Sequence, residues 1–314
     1  MTPDELAARL TVPAIAAPMT GVSCPALTIA ACHAGIVGSF PGHNAASPAQ
    51  LGEWLDEIDE AVADAPGPGA APAGEMNIAR LTGGPLRPAP YAVNFPLRRP
   101  NPRLDNDVAR VLESDAAMVI ASVGSPRELV APTHAAGKLL YADVASVRHA
   151  TLAVEAGVDG LILLTAGAGG ITGWANPFVF VRAVRAFYDG PIVMAGGIVD
   201  GRALWAALAL GCDLAYLGTV LIPAAESAAP EDYKRAVMDA GMDDVKLQTT
   251  AHGLVASTIV RRDDSAGRMF SAGHSVHGAL AAEPVADIVE RFRRESAALP
   301  ALALGRVLDP NGVS

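Results

Sequence analysis

The side chains able to do chemistry in this sequence are few, and they fall at the ends of short apolar runs. Asn94 follows Y-A-V, Ser122 follows M-V-I-A and Asp143 follows L-L-Y-A. Two further runs end in glycine: residues 191–197 read P-I-V-M-A-G-G and residues 214–219 read L-A-Y-L-G-T. Between these two lies an apolar helical pattern over residues 202–210. Apolar run, tight turn, helix and second apolar run are the signs of a parallel strand, a crossover helix and the next strand. Gly196-Gly197 and Gly218-Thr219 then sit side by side at the carboxyl edge of a sheet. Backbone N–H groups there can close on a phosphate, glycine permits the close approach, and the Thr219 hydroxyl adds a polar group.

The elements that must position these groups alternate along most of the chain. Strand patterns fall at residues 14–19, 36–40, 91–94, 118–122, 138–143, 160–164, 191–197 and 214–219, with helical patterns between them. Eight strand and helix units in this order predict a single α/β domain, a (β/α)8 TIM barrel over residues 1–240, ahead of an open doubly wound sheet. A stretch rich in Pro, Gly and Ala at residues 63–90 reads as a loop or lid inserted after the second unit. The alternation stops after residue 240, so residues 241–314 are read as a C-terminal extension folded over the barrel mouth. Tyr216 is read as packed between the last strand and its neighbours.

Composition narrows the function. The chain of 314 residues is 51% hydrophobic, only 5% aromatic, and carries a net charge of -10. Such a balance suits buried strands with alanine-rich helices and argues against a nucleic-acid surface. Three cysteines without metal-like spacing point to a reducing, cytoplasmic compartment. No signal peptide and no uninterrupted apolar run of ~18 residues is visible, so no membrane span is expected. His274 and His277 are spaced for a metal pair, but no carboxylate or cysteine accompanies them, and no metal is expected.

Five motifs in order carry a family resemblance: A-P-M at residues 17–19, V-N at 93–94, A-G-A-G-G-x-x-G at 166–173, A-G-G-I-x-D-G-R at 195–202 and L-G-T at 217–219. Together they resemble the nitronate monooxygenase family, also called 2-nitropropane dioxygenase-like, to which FMN-type enoyl-acyl-carrier-protein reductases are related. The resemblance implies a (β/α)8 barrel that binds FMN without a covalent bond. It places Pro18 and Met19 beside the isoalloxazine, adds Asn94, Gly169 and Gly170 as ring contacts, and puts the phosphate on Gly196, Gly197, Leu217, Gly218 and Thr219. An amide at Asn94 is expected both to donate to the ring and to accept from it.

One departure stands out. Many members carry a histidine in the sixth-strand motif as the base for the substrate's α-proton, and Ile171 stands in that place here. Isoleucine cannot accept a proton. His252 in the tail, whose imidazole titrates in a useful range, is the first candidate to replace it, followed by Asp143 and Ser122 at strand ends. Ile171 and Trp174 are expected to line an apolar substrate pocket.

The implied function is an FMN-dependent oxidoreductase that oxidises a nitronate-type or other hydrophobic organic substrate, with O2 as acceptor. Two alternatives remain open: a reductase of quinones or enoyl thioesters drawing on NADH or NADPH, and a flavin-binding protein without catalysis. Homo-oligomerisation is left open.

Overall fold

The computed structural model describes residues 1–63, 88–98, 100–250, 253–260 and 269–308, with side chains described as far as residue 299. Eight parallel strands form one sheet: β1 (Ala14–Ala16), β2 (Gly38–Pro41), β3 (Tyr91–Pro96), β4 (Met118–Ser122), β5 (Leu139–Val144), β6 (Gly160–Leu164), β8 (Ile192–Ala195) and β9 (Leu214–Leu217). A short β7 (Gly170–Ile171) lies outside it. The strand order β1-β9-β8-β6-β5-β4-β3-β2 is that of a barrel, and a parallel bridge between Ile15 and Val37 joins its two ends. The seam is held by Ala16 N–H to Val37 O at 2.8 Å, Val37 N–H to Ala14 O at 3.0 Å, and a bond from the Ser39 hydroxyl to Ala16 O. The expected TIM barrel is therefore what the chain forms.

Period two explains both cores. In β5, Leu139 and Tyr141 point into the barrel, while Leu140 and Ala142 face the helices. Both faces are buried, so the strands read as nearly continuous apolar runs. β1 is shorter than the run 14–19 that announced it. Pro18 has no N–H to continue the ladder, and the last ladder bond is Ala17 N–H to Leu217 O at 2.8 Å.

Helices α2 (Pro25–Ala34), α3 (Pro48–Ala63), α4 (Leu104–Glu113), α5 (Arg127–Ala135), α6 (Val147–Ala156), α7 (Pro177–Arg185) and α8 (Gly201–Leu210) each follow a barrel strand; α1 (Pro3–Ala8) precedes the first. The eighth place in the ring, between α8 and α2, is taken by α10 (Val285–Leu308), which packs on both. α10 crosses α8 at Gly201, where a Cβ would lie 2.6 Å from Phe292 O and from Ser296 N. Gly201 N–H donates to Glu295 at 2.9 Å, and the Ser296 hydroxyl donates to Gly201 O at 3.0 Å. The boundary expected at residue 240 thus cuts through the barrel. Its closing helix comes from the tail; a helix near residues 285–295 is legible in the sequence, but its place in the ring is not, because α9 (Glu231–Asp239) and a small sheet intervene.

That sheet comprises β10 (Val245–Thr249), β11 (Val255–Ile259) and β12 (Phe270–Ser271). β11 also pairs with β7, through Ala256 with Ile171 and Ser257 with Gly170. The tail is thereby hydrogen-bonded to the loop after β6, at the carboxyl end of the barrel. Residues 64–87, most of the expected insertion, lie outside the described residues. No helix among the described residues is long and apolar enough to cross a membrane.

Candidate functional site

The carboxyl ends of β3, β4 and β5 bring Asn94, Ser122 and Asp143 to the barrel mouth. Asn94 is buried and its amide nitrogen donates to Ile120 O at 3.1 Å and to Ser122 Oγ at 3.2 Å. With both amide protons engaged, Asn94 has only its carbonyl oxygen to offer a ligand. It is an acceptor, not the two-way group expected from its type. The Ser122 hydroxyl donates weakly to Phe95 O at 3.4 Å, so this pair ties β3 to β4.

Asp143 differs. It alternates with the inward-pointing Leu139 and Tyr141 and so faces the barrel interior. Its Oδ1 is sealed from solvent and has no hydrogen-bond partner among the described residues. Burial alone pushes its pKa up to about 7. From β9, Tyr216 also belongs to the interior cluster, and its hydroxyl is likewise buried with no hydrogen-bond partner among the described residues. Burial first, and then the charge of Asp143, hold the Tyr216 phenol well above its ordinary value.

The loop after β1 forms one rim. Met19 N–H donates to Ser23 Oγ at 2.9 Å, and Asn44 donates to Met19 O at 3.0 Å and to Ser23 O at 2.8 Å. Asn44 also accepts from Gly21 N–H at 3.1 Å. His43 Nε2 lies 3.0 Å from Thr20 Oγ1, and burial, then nearby Arg103, lowers its pKa. Pro18 and Met19 are thus presented by a turn with little freedom. The Asn44 clamp was not foreseen from the sequence, where its only signal was an amide just past the second strand.

The glycine turns divide by role. Gly196 has φ 121°, and a Cβ there would meet Thr165 Oγ1 at 2.5 Å and Ala168 N at 2.9 Å, so the protein itself fills that space. Gly197 has φ 74° and open space where its Cβ would be, and it is exposed. This is the backbone conformation and access a phosphate nest requires. Leu217 is fully buried, Gly218 packs loosely beside Ala17 and Met19, and Thr219 begins a single 3-10 turn.

The tail completes the mouth. Phe270 stacks on Tyr233 at a ring separation of 4.7 Å, anchoring the segment that follows. Gly273 N–H then donates to Thr219 Oγ1 at 2.8 Å, and His274 N–H donates to Gly167 O at 3.0 Å. A Cβ on Gly169 would lie 2.7 Å from Gly273 N, and a Cβ on Gly273 would lie 2.3 Å from Gly167 O. The close approach at Gly169 is therefore to the tail's own backbone. Gly170, with φ 62°, has open space beside it.

Ile171 is 40% exposed in β7, and Trp174 is 82% exposed. Trp174 stands in solvent instead of walling a pocket, because the loop is closed beneath it by Ala166 N–H to Ala175 O at 2.8 Å and Thr172 Oγ1 to Thr165 O at 3.1 Å. His252 lies outside the described residues, in the connection between β10 and β11. Among the described residues no group of three potential ligands could hold a metal ion.

The sequence profile of the family described as nitronate monooxygenase matches residues 5–263. A nitronate monooxygenase of Paraburkholderia phytofirmans is 31% identical over 251 residues, covering 72% of this chain and 67% of its own length. One from Pseudomonas aeruginosa is 31% identical over 276 residues, covering 80% and 77%. Among solved structures, FabK from Thermotoga maritima superposes with a TM-score of 0.80 at 22% identity, covering 97% of this chain and 99% of its own, a likeness of fold.

Proposed function

The chain belongs to the nitronate monooxygenase family, and from that premise we propose that it is an oxidoreductase that holds FMN across the barrel mouth and oxidises a nitronate-type or other hydrophobic organic substrate with O2 as acceptor. The observation that carries this reading is the pair of turns after β8 and β9: a left-handed, open Gly197 beside Gly218 and the Thr219 hydroxyl. The residues present fit the cofactor. Gly197 and Thr219 would hold the phosphate, Met19 and Pro18 would flank the ring, and Asn94 would accept from a ring N–H.

Bound there, FMN would supply the electron transfer between substrate and acceptor. The protein's part is to fix the ring, exclude water and place proton-carrying groups. The Asn44 clamp keeps Met19 in one position, and the paired β7 and β11 cover the β6 side of the mouth. Ser122 is engaged as a strut between strands, so among the candidates with described side chains Asp143 is the one left to carry a proton.

One observation favours a second reading. Ile171, in the place of the family's base, has no acid–base capacity, and hydride transfer from NADH or NADPH to a quinone or enoyl thioester needs no base there. An absorbance spectrum of the purified protein followed by anaerobic titration with NADH, NADPH and propyl-2-nitronate tests both. Bleaching by the nitronate supports the monooxygenase reading, and bleaching by a nicotinamide alone supports the reductase. A colourless protein that cannot be reconstituted with FMN overturns both.

A further inference from the structure

Two polar groups inside the barrel have no hydrogen-bond partner among the described residues. Asp143 Oδ1 and Tyr216 Oη are both buried and both without a hydrogen bond. A buried polar atom left unpaired costs free energy, so two in one small interior call for an explanation. They are not scattered. Asp143 is on β5 and Tyr216 on β9, both side chains point into the same interior, and they are near enough for the charge of one to act on the other. Asp143 belongs to the set of strand ends that includes Asn94 and Ser122.

The donor inventory of that mouth is short. Asn94 has both amide protons engaged and presents an acceptor; Ser122 donates to Phe95 O. The edge of an isoalloxazine ring carries carbonyl and imine acceptors as well as an N–H. A floor built from Asn94 alone would satisfy the N–H and leave the acceptors bare.

We propose that Asp143 and Tyr216 are two further contacts of the flavin, donating from a carboxyl O–H and a phenol O–H to the acceptor edge of the ring. This rests on the FMN reading above. The surroundings of Asp143 suit a neutral carboxyl. Its neighbours on β4 and β6 end in Ser122 and Leu164, the titratable side chain acting with it across the barrel is Tyr216, and burial is the sole cause of its raised pKa. A carboxylic acid kept neutral by an apolar site can donate a hydrogen bond that a carboxylate cannot. Tyr216 stays protonated throughout, for the same reason of burial.

The consequence is a coupling between flavin affinity and pH. Only the protonated Asp143 donates, so affinity should be constant below its titration and fall about tenfold per pH unit above it. Riboflavin is the probe for this coupling, because it has no phosphate of its own to titrate; FMN, measured in parallel, reports the cradle.

The experiment is fluorescence titration of apoprotein with riboflavin and with FMN between about pH 5.5 and 8.5, where free carboxyls do not titrate appreciably. Wild type should lose riboflavin affinity at least about tenfold across this range. Asp143→Asn keeps a donor that does not ionise, and its affinity should be high and flat. Tyr216→Phe should bind more weakly than wild type at every pH while keeping the slope. If FMN fails to bind at any pH, the flavin reading itself falls. If FMN binds and the riboflavin profile of wild type is flat, or slopes equally in Asp143→Asn, the assignment of Asp143 is wrong. If Tyr216→Phe binds riboflavin as well as wild type does, Tyr216 is not a contact. Circular dichroism of each variant separates misfolding from lost contacts, and Asp143→Ser, a smaller non-ionising donor, carries the slope test if the Asn variant does not fold.

Discussion

The Gly273 N–H donates to Thr219 Oγ1 at 2.8 Å, so the segment after β12 is bolted to the turn that follows the last barrel strand. That turn is one half of the proposed phosphate cradle. The same segment touches Gly167 and Gly169 after β6, and it therefore bridges two strand ends over the intervening β8. Because Thr219 accepts from the tail, its own hydroxyl proton remains available to a phosphate.

Removing the acceptor tests the bolt. Thr219→Val keeps the shape and leaves the buried Gly273 N–H without a partner, which should cost about 1–3 kcal/mol. Thr219→Ser should restore most of it. Thermal melts of the two variants without flavin give the structural part, and FMN titration gives the cradle part. Equal melting of the Val variant and wild type would mean that water or a shifted tail replaces the bond.

Gly197 and Gly273 should fail in different ways. Gly197 has open space beside it, so Gly197→Ala meets only the cost of a left-handed backbone, about 1–2 kcal/mol, while its methyl group would occupy the place proposed for the phosphate. FMN affinity should drop by orders of magnitude in a folded protein, and riboflavin affinity should change far less. In Gly273→Ala the new Cβ would lie 2.3 Å from Gly167 O, so the tail must move off the β6 loop. There the expected result is lower thermal stability and faster proteolysis of residues beyond β11. If Gly197→Ala keeps wild-type FMN affinity, the phosphate lies elsewhere.

Asn44 makes three hydrogen bonds to the loop of Met19. Asn44→Ala should lower stability by about 2–3 kcal/mol, given the usual contribution of such bonds. It should also raise the Kd for FMN, because the loop proposed to flank the ring would no longer be held in one position. Denaturant unfolding with and without FMN checks both. A stability loss without any change in Kd would remove Met19 from the ring contacts.

The barrel was legible because parallel strands buried on both faces leave continuous apolar runs, and because as far as α8 a helix lies between each barrel strand and the next. The turns at Gly196-Gly197 and Gly218 stood out for a related reason: each cuts off an apolar run and so marks the end of a strand. What sequence could not give was partnership. Gly169 looked like a ligand contact, yet its close neighbour is Gly273, more than a hundred positions away in the chain. Nothing local in residues 285–308 says that this helix closes the ring between α8 and α2; that depends on the gap left by the other seven. Asp143 was singled out as a strand-end carboxyl, but Tyr216, which faces the same interior, was taken for a packing residue, since the direction of a side chain in a short strand follows from register alone.

Asp143 also sets a stability signature that needs no ligand. In the unfolded chain its carboxyl titrates at the ordinary value of 3.8, and in the folded protein burial pushes it up to about 7. Between these values the native state holds a proton that the unfolded state has released, so stability falls as pH rises through the window. Below it both states are protonated, and above it both are ionised, so the contribution levels off at either end. Asp143→Asn removes this term and leaves the other carboxylates as they were. The difference in melting temperature, variant minus wild type, should therefore grow from pH 4 to pH 7 and stay constant above. A difference that does not change with pH would mean that water reaches the carboxyl in the folded protein and that it ionises as it does in the unfolded chain. The interior between β5 and β9 would then be wet, and the neutral donor proposed for the flavin would not exist.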